Sequence, residues 1–211
     1  MANTGRGQRL RDRVKSIIGI TDTTVSDSMV YAHLNDSQQR VAENTLCLER
    51  IGTLTLTSGV APEPSDYFRM KLIVLASGKI LQPIEVDVVE FDSASRLNPQ
   101  NTFYTPIVYK RWVNTSNVNV ITFFPTPTDP SYTLLYYAVP STSIASNLDP
   151  EVPKRYDDVL VYDALTELLP IVGKFELSTY YRSLSEQVLA TQFLSTRKQK
   201  TQSSQIAFYD Y

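Results

Sequence analysis

The hydrophobic period of this chain changes twice along its length, and that limits the folds open to it. Up to about residue 50 the apolar residues recur at helical spacing. Leu10, Val14, Ile17 and Ile18 fall at i, i+4, i+7 and i+8, the face of a surface helix, and Gly19 ends it. "TDTTVSDS", Thr21 to Ser28, then supplies capping oxygens, with Ser26 the expected N-cap. A second stripe follows at Val30, Leu34, Ser37 and Val41, with Gln38, Gln39 and Arg40 off it. From about Ile51 to Pro140 the period is two. "TLTLT" alternates strictly, and "QPIEVDV" puts Ile84, Val86 and Val88 on one face and Glu85 and Asp87 on the other. Turn chemistry at Ser77-Gly78, "NTSN" and "TPTDPS" separates the runs, giving a meander of about six strands with room for a short helix at Ser93 to Leu97.

After a Ser/Pro/Asn-rich connection, helical spacing returns in "EVPKRYDDVLVYDALTELLP", Glu151 to Pro170. Pro153 suits a first helical turn, where a missing N–H costs nothing. Two apolar stripes follow: Tyr156, Leu160, Ala164 and Leu168, then Val161, Leu165 and Val172. A final helix runs from about Phe175 to Lys198 on Leu177, Tyr181, Leu184 and Val188. Helices, then strands, then helices predict an α+β protein. The expected architecture is a helical bundle built from both chain ends, 1–50 and 151–200, with an inserted antiparallel β domain, 51–150, and an extended tail, 201–211. With two apolar stripes, the helix after Val152 is expected either to lie in the middle of that bundle or to cover one side against a neighbouring subunit, with Val161, Leu165 and Val172 as the outer stripe.

Function classes fall away on charge and residue type. A net charge of −2 gives no global field for nucleic acid or an anionic membrane. The local exception is the start of the chain, where Arg6, Arg9, Arg11, Arg13 and Lys15 against the single Asp12 leave a net +4; DNA or an acidic partner is the expected contact. The basic start lacks a contiguous apolar run behind it, so no signal peptide is read, and no stretch reaches membrane-spanning length; the chain is expected to stay soluble in the cytoplasm. Cys47 is the single cysteine and His33 the single histidine, so a disulfide, a zinc site and a Ser-His-Asp triad are all unsupported. Glu85, Asp87, Glu90 and Asp92 could hide a carboxylate pair, but a solvated strand face explains them. Asp157 and Asp158 sit in a first helical turn, where acids complement the dipole. Neither a cofactor nor a catalytic set is expected, and the chain is read as a non-enzyme. The end of the chain, "IAFYDY", places Ile206, Phe208, Tyr209 and Tyr211 in a polar tail, which either folds back on its own core or, the favoured reading, adds to a partner's groove or sheet edge.

Three stretches carry a likeness. "SIIGITDTTVSDSMVYAHLNDSQQRVA" with its "LNDSQ", "YTLLYYAVPS" leading into "VPKRYDDVLVYDALTELL", and "GKFELSTYYRSLSEQVL" together resemble the head-to-tail adaptors (connector, head-completion proteins) of tailed bacteriophages, including those called tail tubular protein A. The likeness spans roughly residues 8 to 198 and rests on order and spacing. It implies a structural virion protein at the neck: a ring, usually a dodecamer, beneath the portal, continuing the DNA channel toward the tail. In such a ring the bundle makes ring and portal contacts, the β part faces a tail or nozzle protein, and the C-terminal extension docks on the portal. The β insert is larger than in compact members. A second reading from another class is a tail-associated module that recognises carbohydrate or a receptor through the β domain, with Trp112, Tyr104, Tyr109, Tyr136 and Tyr137 stacking sugars.

Overall fold

The computed structural model describes residues 5–19, 24–57, 59–74, 80–81, 84–85, 108–124 and 131–206. The described residues are mixed α+β, with four helices and two small sheets. The chain divides into two compact units, residues 1–48 with 140–211, and residues 49–139.

In the helical unit, α1 (Arg6–Ile18) buries Leu10, Val14 and Ile18 and stops at Gly19, whose φ of 123° few other residues adopt. Helix α2 (Asp27–Thr45) starts where its capping residue directs: Ser26 Oγ accepts the Met29 amide at 3.3 Å. Val30, Leu34, Ser37 and Val41 are buried as the spacing predicts, but so is Gln38, which the spacing places outside the stripe. Pro153 leads into a short 3-10 turn, Lys154–Tyr156, and then α3 (Asp157–Leu168). A second 3-10 turn ends at Gly173, with φ 76°, and α4 (Phe175–Ile206) follows. Helix α4 therefore continues to Ile206, through a stretch expected to be extended. The core draws Leu10 and Val14 from α1, Val30 and Leu34 from α2, and Leu160 and Leu165 from α3.

In the β unit, β1 (Glu49–Thr55), β8 (Ser131–Ala138), β3 (Tyr67–Val74) and β4 (Ile80–Leu81) form one sheet in that order. The other runs β2 (Val60–Pro62), β7 (Asn119–Phe124), β6 (Val108–Val113), β5 (Ile84–Glu85). This is not the expected meander, because β8 lies between β1 and β3. Alternation tells which face a residue takes, but strand partners are chosen over long sequence distances that no local pattern reports. The domain is also not wholly antiparallel: β5 pairs with β6 in parallel, Ile84 opposite Val108. A parallel pair needs a crossover of a dozen or more residues, and 86–107 has that length. The short helix expected at Ser93 to Leu97 lies outside the described residues. One residue from each sheet meets inside the unit, where the Tyr67 hydroxyl donates to the Tyr109 hydroxyl at 3.5 Å.

Candidate functional site

Among the described residues, side chains able to do chemistry do not converge. His33 is half-buried on α2, and Cys47 packs against the helical core. Of the acidic cluster, Glu85 accepts a hydrogen bond from the Tyr109 hydroxyl at 3.0 Å, while Asp87, Glu90 and Asp92 lie outside the described residues. Among the described residues no group of three or more His, Cys, Asp or Glu could hold a metal ion, and no helix is long and apolar enough to cross a membrane.

The basic face of α1 is tied to acids of its own chain. The Arg6 guanidinium bonds Asp157 Oδ1 through Nε at 2.8 Å and also donates to the carbonyls of Pro150 and Val152. Arg11 pairs with Asp12 and Asp27, and Lys15 approaches Asp27 at 3.5 Å. Arg13 reaches Asp158 at 2.5 Å and lies over the Tyr162 ring. The expectation that Asp157 and Asp158 serve only the dipole of their helix is therefore too narrow: they receive α1. The local net charge of the first fifteen residues is largely offset in space by acids remote in sequence. Gly7 completes the seam. A Cβ there would come within 2.4 Å of the Leu148 carbonyl oxygen and 2.6 Å of that of Ala145, so the backbone itself approaches α1.

The "LNDSQ" stretch is a polar clasp. Asn35 Nδ2 donates to the Ile144 carbonyl at 3.2 Å, and its Oδ1 accepts the Ile144 amide at 2.6 Å. One turn on, Gln38 Nε2 donates to the Thr142 carbonyl and Oε1 accepts the Glu151 amide at 2.6 Å. The Glu151 carboxylate accepts the amides of Ser141 and Thr142. Two amide side chains thus hold the 140–152 connection against α2. Gln38 is buried because its partners are backbone groups that would otherwise be orphaned. Only its spacing from Asn35, a second amide one turn away, hinted at this role.

Both apolar stripes of α3 are consumed inside the chain. Tyr156, Leu160, Ala164 and Leu168 are fully buried, but so are Val161 and Leu165, each with no exposed surface. Of the two placements expected for this helix the burial fits the middle one: α1, α2 and α4 surround α3, which leaves Val161 and Leu165 no surface for a neighbouring subunit. Val172, on the second 3-10 turn, is half-buried.

In the helical unit an open apolar surface lies on α4. Against α3 this helix presents serines. Ser178 Oγ donates to the Thr166 carbonyl at 2.8 Å, and Ser185 Oγ to Asp163 Oδ1 at 2.5 Å. Burial raises the Asp163 carboxyl above its ordinary value, and Ser185 and Arg40 only partly oppose that. Of the expected stripe, Leu177 is 44% exposed and Leu184 half-buried, and Tyr180, which lies outside that stripe, is 56% exposed beside them. Tyr181 and Val188 still pack on the core. On another flank α4 and the end of α2 enclose an almost wholly apolar groove of about 330 Å³, lined by Asn44, Thr45, Glu186, Leu189 and Ala190.

In the β unit, Tyr109 and Tyr136 are buried, 2% and 5% exposed, and Tyr137 is half-buried. Burial drives the Tyr67 phenol up to about 12, and burial with a hydrogen bond to Asp66 does the same for Tyr136. These rings are core, not a sugar platform; of the expected set Trp112 is exposed, its indole N–H donating to Thr122 Oγ1, and Tyr104 lies outside the described residues. Ile206 is the last residue of α4, while Phe208, Tyr209 and Tyr211 lie outside the described residues.

A sealed helical core, a clasped connection and an open apolar helix face belong to a structural protein that works by contact. The family model of the SU10 adaptor protein matches residues 8–207, nearly the full length, and the chain belongs to that family. It is a bacteriophage structural adaptor, a component of the virion. No curated protein sequence matches it.

Proposed function

We propose that the protein forms an adaptor ring between the portal and the tail and continues the DNA channel, as the tail tubular protein A type of connector does. In this reading the helices from the two chain ends form a single bundle that makes the ring and portal contacts. The β unit faces the tail or nozzle protein. Ile206, Phe208, Tyr209 and Tyr211 dock on the portal. The observation that carries the proposal is the adaptor-family match across residues 8–207, which takes in both units. Apolar side chains left open on α4 support it, since a subunit that worked alone would gain by covering them. Passage of packaged DNA past α1 belongs to the same proposal, with Arg13, 42% exposed, among its contacts beside Arg9.

Co-sedimentation with the purified portal of the same virus tests this, using the full chain and chains ending after Lys200 or after Ile206. The expected result is binding by the full chain and none by either truncation. Binding that survives both truncations removes the tail from the interface and leaves the adaptor. Failure of the folded full chain to bind overturns the portal contact.

A further inference from the structure

The two unusual surfaces of α4 are complementary in chemistry and placed where one copy cannot join them. Leu177, Tyr180 and Leu184 form a projecting apolar flank, with Tyr180 more than half exposed. Glu186, Leu189 and Ala190 line the groove beside the end of α2. At about 100° per residue these two sets point roughly 160° apart around the helix. Tyr180 and Leu189 are also separated by about 14 Å along it. Both belong to one continuous helix, so no rotation of a side chain brings Tyr180 into the groove of its own chain. A second copy has no such constraint.

Resting on the ring reading above, we infer that the seam between neighbouring copies is a heterologous contact in which the Leu177–Tyr180–Leu184 flank of one copy enters the Asn44–Thr45–Leu189–Ala190 groove of the next. Size fits. An apolar cavity of about 150 Å³ takes up benzene, so a groove of about 330 Å³ has room for the Tyr180 ring and a leucine side chain beside it. Symmetry fits as well. A contact between two different patches repeats head to tail and closes only as a ring, whereas a self-complementary patch stops at a dimer. Different patches on opposing flanks of one helix meet the first requirement. Most of the groove's open surface is apolar, which matches a leucine and tyrosine flank, and its polar side chains are Asn44, Thr45 and Glu186. The phenol hydroxyl needs a partner when it is desolvated. The side-chain amide of Asn44 and the carboxylate of Glu186 at the groove wall supply acceptors.

Cysteine pairing in assembled particles tests the seam. In a Cys47→Ser background, particles are made with Tyr180→Cys, with Ala190→Cys, or with both in one chain, then oxidised and run without reductant. The expected result is a ladder of this chain from the double variant and monomer from each single variant. Particles carrying a mixture of the two single variants should give dimers and nothing larger. Dimers from Tyr180→Cys alone would show a symmetric contact and overturn the assignment. So would absence of any linked species, the outcome if the chain's own tail or another virion protein fills the groove. Amine cross-linking of the parent particles separates the two levels. A ladder there without Tyr180–Ala190 pairing sinks the seam only, whereas no ladder sinks the ring itself. Tyr180→Phe keeps the ring but not the hydroxyl, and should leave amine cross-linking unchanged.

Discussion

At residue scale, the side chains that matter most are polar ones whose partners lie more than a hundred positions away. Gln38 shows why such a residue is hard to read from the chain: helical spacing puts it beside the stripe, and nothing local announces that the amide of Glu151 and carbonyl of Thr142 will come to it. Gln38→Leu supplies an apolar surface of similar size but leaves both backbone groups without a partner. It should lower stability by about 1–3 kcal/mol, the cost of a buried group left unsatisfied, seen as a lower denaturant midpoint. A neutral result would mean that water replaces the amide. Gly7 makes a steric counterpart. Gly7→Ala should cost about 1–3 kcal/mol because the clashing atoms are backbone carbonyls, which cannot swing aside.

Asp163 adds a prediction in pH. Its carboxyl is raised in the fold, so between the ordinary value of 3.8 and the raised one the folded state holds more protons than the unfolded state. Stability from this group is then present at low pH and lost as pH rises through that window. Asp163→Asn keeps an acceptor for Ser185 and removes the desolvated charge. The variant should melt above the parent at pH 7, with the gap closing toward pH 4. Glu167 and Glu186 also push the carboxyl up, and Arg40 pulls it down, so the comparison is best made at constant ionic strength. A gap that stays constant with pH would place the effect in packing.

At the scale of elements, period and capping were legible where one face alone is buried. The start of α2 at Ser26, the end of α1 at Gly19 and the rows Leu10–Val14–Ile18 and Val30–Leu34–Val41 all follow from the sequence. Two helices mislead for opposite reasons. In α3 the second stripe suggested an outward contact, but three helices surround it, and apolar residues on every side simply report depth. In α4 the apolar row holds only in part: Tyr181 and Val188 pack on the core, but buried serines at 178 and 185 make the contact with α3 beside them, and Leu177 is left open. Small polar residues that satisfy themselves on a carbonyl or a carboxylate can be core, and hydrophobicity alone does not reveal it. The open face on α4, the element most useful for assembly, was therefore read one helix too early. In the β unit, alternation at β1 and β5 and the turn residues between runs marked strands but not their order, for which residues distant in the chain decide.

For the whole molecule, the insertion of one unit into another is written into the pairing of β1 with β8. Glu49 lies opposite Tyr137 in that antiparallel pair, so the β unit begins and ends at neighbouring positions. Facing Cα atoms in such a pair are about 5 Å apart, a gap that very few residues can span. The core around Leu34, Tyr156, Leu160 and Leu165 draws wholly on residues before 49 and after 139. The clasp of Asn35 and Gln38 on the 140–152 connection is likewise internal to that unit. Replacing residues 49–139 by a short Gly/Ser linker should therefore leave a helical protein that unfolds cooperatively. Far-UV circular dichroism through a thermal melt measures this: a sigmoidal loss of helix is the expected result, and a gradual one would show that the β unit contributes stability the helical core lacks. The same shortened chain should still yield the Tyr180–Ala190 cross-link where it assembles, since both residues lie outside the excised segment.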